Sequence, residues 1–140
     1  MEEVYKKLTD YLPLLKTDEF GEWIIDTKND GTPAHPMQMP YVSYSDIIGQ
    51  FIRDIHGFMN EHEEYEPNRY GEILEKHEIE WEMESMVNAD VSRMDGQGVM
   101  ALLMGAVRAE RFCDGALLGY LKRGAITKWL ERLCELDQKE

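Results

Sequence analysis

The feature that most constrains the fold is an uninterrupted apolar stretch at residues 99–107, which reads VMALLMGAV. No polar side chain occurs on any side of it, so a helix here must be covered nearly all round by other parts of the chain. Asp95 is a suitable N-cap just before it. The sequence therefore predicts a central buried helix from residue 96 to about residue 112. The stretch is far too short to span a bilayer.

Shorter amphipathic patterns predict several further helices around the central one. Apolar residues recur at helical spacing in each of them. The segment 78–86 is ambiguous, because its apolar residues fit both a strand and a helix, although its Glu and Met residues favour a helix. The predicted helices are one over 4–15 disturbed at Pro13, one beginning at Asp46, one from Tyr70, one over 114–123 and one after Gly124.

A β-hairpin is the one non-helical element that the sequence predicts. Trp23, Ile24 and Ile25 are typical of a strand, an Asn-Asp-Gly turn follows at residues 29–31, and a second strand is expected at 37–42. The predicted fold class is thus α+β and predominantly helical. We expect a single domain over residues 1–140, with five to six helices around the central helix and a small hairpin near residues 22–42.

The charge of the chain is strongly negative and unevenly distributed. There are 15 Lys and Arg against 28 Asp and Glu, a net charge of −13, and residues 61–84 alone hold ten Glu against Arg69 and Lys76. Such a chain repels nucleic acid, so no nucleic-acid partner is predicted. The acidic segment is interpreted as a solvated surface, with a basic partner or nucleic-acid mimicry as the alternative.

The cysteines and the N-terminus indicate the compartment. Cys113 and Cys134 lie in apolar helical patterns without C-x-x-C spacing, so both are expected to be buried, reduced thiols. The first residues lack the basic and apolar regions of a signal peptide. A cytoplasmic protein without a membrane segment is predicted.

A group of charged residues follows the apolar stretch. On a continuous helix Glu110 lies below Val99 and Ala106, which puts a carboxylate on the most apolar stripe. Asp114 is one turn further along, Arg111 neighbours both acids, and Arg108 points to the opposite side. A buried carboxylate must be neutral, paired or beside water, so Glu110 is expected to have partners.

Two interpretations of this group remain open. In the first, Glu110, Arg111 and Asp114 form an ion-pair network, with a backbone N–H as a further partner of the carboxylate. In the second, Arg108, Glu110, Arg111 and Asp114 line a ligand-binding pocket in which an arginine holds an anion. If the protein were an enzyme, Glu110 would be the candidate base, because burial would raise its pKa.

No complete catalytic or cofactor motif occurs in the chain. Nucleotide-binding glycine loops and the serine-hydrolase elbow are absent. His56, Asn60 and Glu63 share one helix side but do not form a metal motif. We predict no metal and no cofactor.

Three hypotheses for function follow. The first is a binding or regulatory module for a small anionic ligand or a peptide group. The second is a protein-interaction module, either a homo-oligomer or a partner of a basic protein through residues 61–84. The third, and less favoured, is an enzyme of unrecognised class.

The last 45 residues resemble a known group of proteins. The motif Val107-Arg108-Ala109-Glu110-Arg111-Phe112-Cys113-Asp114-Gly115 is followed by Gly119-Tyr120-Leu121 and Gly124-Ala125-Ile126. This order resembles an uncharacterised family of small bacterial domains with an Arg-x-Glu-Arg-Phe-x-x-Gly signature before a pair of helices broken by glycine. The resemblance implies a bacterial origin and a common fold, and it carries over no catalytic residue.

Overall fold

The computed structural model describes residues 4–17, 20–25, 31–36 and 41–138. Within them the chain forms seven α-helices, one pair of antiparallel strands and several short 3-10 turns, which confirms the predicted α+β, mainly helical class. In chain order the elements are α1 (Lys6–Thr9), β1 (Gly21–Ile24), β2 (Tyr41–Tyr44), α2 (Asp46–Glu61), α3 (Tyr70–Lys76), α4 (Met83–Val87), α5 (Gly96–Ala109), α6 (Ala116–Lys122) and α7 (Ala125–Gln138).

The helix α5 is the centre of the molecule, as its composition predicts. Every residue from 98 to 107 is buried, because α2, α3, α6 and α7 all pack against it. Asp95 caps its start, with its Oδ1 accepting a hydrogen bond of 2.8 Å from the Gly98 N–H. Burial on all sides is what a helix without a polar face requires.

The two strands form the predicted hairpin, and they pair with Gly21 opposite Tyr44 and Ile24 opposite Tyr41. Residues 29–30 of the predicted turn and residues 37–40 of the predicted second strand lie outside the described residues. The part of the second strand that is described begins at Tyr41 and continues to Tyr44, two residues beyond the predicted end.

Helix ends account for most differences from the predicted elements. Ser45 caps α2 as predicted, and α2 ends at Glu61, where the acidic run begins. The first helix is a single turn followed by a 3-10 turn at Leu14–Thr17. In the ambiguous segment only Met83–Val87 is helical.

The helix α5 ends at Ala109 and not near residue 112, and the next six residues form a turn before α6, here called the 110–115 turn. Gly115 closes it with a φ of +89°, a left-handed conformation that favours glycine. This turn also corrects the prediction for Cys113. Its thiol is exposed, not buried, because the helix on which burial was predicted has already ended.

No helix among the described residues combines the length and the apolar character needed to cross a lipid bilayer.

Candidate functional site

The carboxylate of Glu110 is held by the chain that follows it and by the hairpin. Its Oε1 accepts hydrogen bonds from the Tyr44 hydroxyl at 2.6 Å and from the Leu117 N–H at 3.0 Å. Its Oε2 accepts one from the Gly115 N–H at 3.0 Å. Amide groups at a helix start lack intrahelical partners, so Glu110 supplies acceptors for the start of α6.

The hydroxyl of Tyr44 completes this arrangement. It accepts a hydrogen bond of 3.0 Å from the Leu118 N–H while it donates to Glu110. Burial raises the pKa of Tyr44, and the hydrogen bond to the Glu110 carboxylate raises it further. The phenol therefore stays protonated, and the carboxylate, the phenol and three amide groups form one connected network.

The predicted ion pairs of Glu110 with its charged neighbours are not formed among the described residues. Arg111 and Asp114 are both exposed and neither one contacts the carboxylate through a hydrogen bond. The first interpretation also included a backbone N–H as a partner of the carboxylate. The structure has two such partners, the N–H groups of Gly115 and Leu117. The structure thus gives Glu110 a capping role in place of an ionic one.

A cleft lies between α2 and the end of α5, and we call it the arginine cleft. Its volume is about 390 Å³. It is lined by Ile52, His56, Val107, Arg108, Glu110, Arg111 and Leu117. The structure therefore brings together three of the four predicted site residues, Arg108, Glu110 and Arg111. Arg108 also lines a second cleft, together with Met104, Glu63 and Glu66, so the prediction that it points away from Glu110 is not contradicted.

The guanidinium groups of the two arginines of the cleft make no hydrogen bond and no ion pair with any described residue. The Nε of Arg108 is fully buried and has no hydrogen-bond partner. By contrast, Arg69 pairs with Glu66 and Glu72 on the surface. A buried donor without an acceptor costs about 1–3 kcal/mol, which makes Arg108 the least satisfied polar side chain of the site.

His56 of α2 faces the two arginines across the cleft. Desolvation lowers the pKa of its imidazole below the ordinary value of 6.5, and the positive charges of Arg108 and Arg111 lower it further. Sequence reasoning placed His56 on one side of α2 but could not join it to Arg108, because the contact is made between two helices distant in sequence.

Asp114, the fourth predicted site residue, lines a different cleft on the other side of the 110–115 turn. We call it the aromatic cleft, and its volume is about 460 Å³. It is lined by Trp81, Glu82, Met83, Ala109, Phe112, Cys113, Asp114, Gly115, Ala116 and Tyr120. No sequence pattern indicated this cleft beyond the ambiguous one around Trp81.

The acidic segment forms an exposed surface, and all ten glutamates of residues 61–84 are solvent-exposed. A basic partner for it stays a prediction. In the part of the chain that the structure describes, no three His, Cys, Asp or Glu side chains are grouped so that they could hold a metal ion.

Comparison with known proteins gives a family and no function. No curated protein and no solved structure matches the chain. A family of unknown function, DUF6508, matches residues 1–139. The resemblance to a family of uncharacterised domains is confirmed to that extent, whereas the bacterial origin and the signature stay predictions. Because the match covers nearly the whole sequence, the chain belongs to the DUF6508 family of unknown function.

Proposed function

We propose that the protein is a binding module for a small organic anion, which it takes into the arginine cleft. The carboxylate or phosphate of the ligand accepts hydrogen bonds from Arg108 and Arg111. Its apolar part lies against Ile52, Val107 and Leu117, which line the same cleft. A few polar groups among apolar side chains are typical of small-molecule sites.

The observation that carries the proposal is the buried Nε of Arg108, which has no hydrogen-bond partner. An anion on this guanidinium would supply the missing acceptor, and guanidinium groups bind carboxylates and phosphates through paired hydrogen bonds. Glu110, the acidic residue that lines the same cleft, already accepts three hydrogen bonds from Tyr44, Gly115 and Leu117. The arginines are therefore left for a ligand.

The local electrostatics point in the same direction. Desolvation is the largest cause of the lowered pKa of His56, and the positive charges of Arg108 and Arg111 lower it further. A positive cleft on a chain with a net charge of −13 is a local exception to the overall field. It would attract an anion over short distances although the whole molecule repels one.

The test is a thermal-shift and calorimetric titration with benzoate, its neutral counterpart benzamide, and inorganic phosphate. At a hundred times Kd a ligand adds about 2.7 kcal/mol of stability, which raises Tm by several degrees. We expect benzoate or phosphate to stabilise the protein and benzamide to leave Tm unchanged. Arg108→Gln and Arg111→Gln should each weaken anion binding by about tenfold, because each removes a charge-assisted hydrogen bond.

The matched control is Arg93→Gln. Arg93 is exposed and lines a separate cleft with Glu78, Glu82 and Asp90, so its loss should not change anion affinity. Equal losses of anion affinity in Arg93→Gln and Arg111→Gln would mean that the effect comes from the overall charge of the protein, and this would contradict the proposal. So would a panel in which no anion binds.

A further inference from the structure

The aromatic cleft carries an independent inference, since it shares no lining residue with the arginine cleft. Two large aromatic side chains that line this cleft are exposed to solvent. Phe112 is 77% exposed and Trp81 is 42% exposed. The two rings are in contact and so form one contiguous apolar patch, and contiguous exposed patches mark binding sites.

The Trp81 ring is also held in orientation by its contacts. The Trp81 Nε1 donates a hydrogen bond of 2.9 Å to the Gly105 carbonyl of α5. The Phe112 ring meets the Trp81 ring edge to face at 5.8 Å, and Tyr70 meets Trp81 in the same manner at 5.5 Å. A pocket whose walls are already ordered loses little entropy when a ligand enters.

The charges at the rim of the cleft are all negative. Glu82 and Asp114 are exposed, and neither carboxylate makes an ion pair or a hydrogen bond among the described residues. The lining includes no Lys, Arg or His side chain. The cleft thus combines aromatic faces with carboxylates that have no cationic partner.

We infer that the aromatic cleft binds a small organic ammonium compound. Its cationic nitrogen would lie between Glu82 and Asp114, and its apolar body would lie against Trp81 and Phe112. Aromatic faces attract cations through their quadrupole, and Trp does so most strongly. A volume of about 460 Å³ is within the range of small-molecule sites.

The experiment compares three probes of similar shape and different charge: 2-phenylethylamine, 2-phenylethanol and 3-phenylpropanoate. Binding is followed by tryptophan fluorescence and by calorimetry. We expect the amine to bind at least about tenfold more tightly than the alcohol, because two carboxylates and the ring faces favour the charge. The propanoate should not bind at this cleft.

Variants of the rim separate charge recognition from apolar contact. Asp114→Asn and Glu82→Gln should each weaken amine binding by roughly two- to fivefold, which is typical of an exposed ion pair, and leave the affinity for the alcohol unchanged. Glu75→Gln is the control, because Glu75 is exposed on α3 and does not line the cleft. Phe112→Ala should weaken both the amine and the alcohol.

The reactivity of the Cys113 thiol tests whether the amine binds in this cleft. The thiol is exposed and lines the cleft, whereas Cys134 is half-buried on α7 and serves as an internal reference. We expect 2-phenylethylamine to slow the alkylation of Cys113 by iodoacetamide, measured by mass spectrometry, without slowing that of Cys134. Equal affinity for the amine and the alcohol, unchanged amine affinity in both rim variants, or no protection of Cys113 would each overturn the inference.

Discussion

The two clefts on either side of the 110–115 turn differ in the sign of the charge that each leaves without a partner. The arginine cleft has Arg108 and Arg111 without acidic partners, whereas the aromatic cleft has Glu82 and Asp114 without basic ones. Arg111 and Asp114 are three residues apart, a spacing at which opposite charges are neighbours on a continuous helix. The turn prevents this by directing Arg111 and Asp114 into different clefts, so the backbone, not the composition, decides which charges remain available.

The largest effect should come from the glycine on which the turn depends. Gly115 has a φ of +89°, and a Cβ there would lie 2.3 Å from Cζ2 of Trp23. We expect Gly115→Ala to lower the free energy of unfolding by about 2–4 kcal/mol, from backbone strain and from the clash. Urea denaturation measures it.

The control for this substitution is Gly57→Ala in α2. A Cβ at Gly57 meets no atom within 4 Å, so alanine should stabilise the helix by about 0.5–1 kcal/mol. A Gly115→Ala variant as stable as the parent protein would show that the turn does not depend on this conformation, and the comparison of the clefts would lose its basis.

A smaller effect is expected from the hydroxyl that links the hairpin to the turn. Tyr44→Phe removes a donor to Glu110 and an acceptor from the Leu118 N–H. We expect a loss of about 1–3 kcal/mol in unfolding free energy, because the Leu118 amide is left without its acceptor. Tyr41→Phe on the same strand is the control, because Tyr41 is 39% exposed.

A double-mutant cycle with Glu110→Gln sharpens this result. Direct contact predicts a coupling energy of at least about 0.5 kcal/mol between Tyr44 and Glu110. Additive losses would mean that the carboxylate and the phenol act separately, and the capping role of Glu110 would then need revision.

The smallest effect is on protonation in the arginine cleft. The pKa of His56 is lowered by desolvation and by Arg108 and Arg111, so the unfolded chain binds a proton there more readily than the folded one. Its contribution to stability is therefore present above about pH 6.5 and is lost as the pH falls through the folded pKa. NMR titration of the imidazole measures that value.

Arg111→Gln should raise the pKa of His56, because one of the two positive charges that face it is removed. The other charged residues that line a cleft with His56 are unchanged in this variant, namely Arg108, Glu110, Glu63, Glu66 and Arg69. Arg93→Gln should leave the titration as it was. A His56 pKa that does not respond to Arg111→Gln would contradict the positive potential that supports anion binding.

Much of the helical framework could be predicted from the sequence, because its signals are local. Asp95 and Ser45 cap α5 and α2 where predicted, and the apolar stretch of α5 is buried throughout. Helical spacing also selected Glu110 as a residue in need of partners. These inferences depend only on neighbours along the chain.

The arrangement of the site could not be predicted to the same extent, because it depends on where a helix stops. The predicted helix continues to about Phe112, and extending it buried Cys113 and put Arg111 and Asp114 beside Glu110 as ionic partners. The helix ends at Ala109 instead, with the following amides bonded to the Glu110 carboxylate. His56 and Trp81 enter the clefts through contacts between distant segments, which no local pattern reports.

The network around Glu110 also has a consequence for the order in which the molecule assembles. The bonds from Gly115 and Leu117 to Glu110 close loops of only five and seven residues, so they can form early. The bonds through Tyr44 join residues 66 and 74 positions apart, and such distant closures are slow. The start of α6 thus combines a local closure with a long-range one, and the long-range one forms only when the hairpin packs against it.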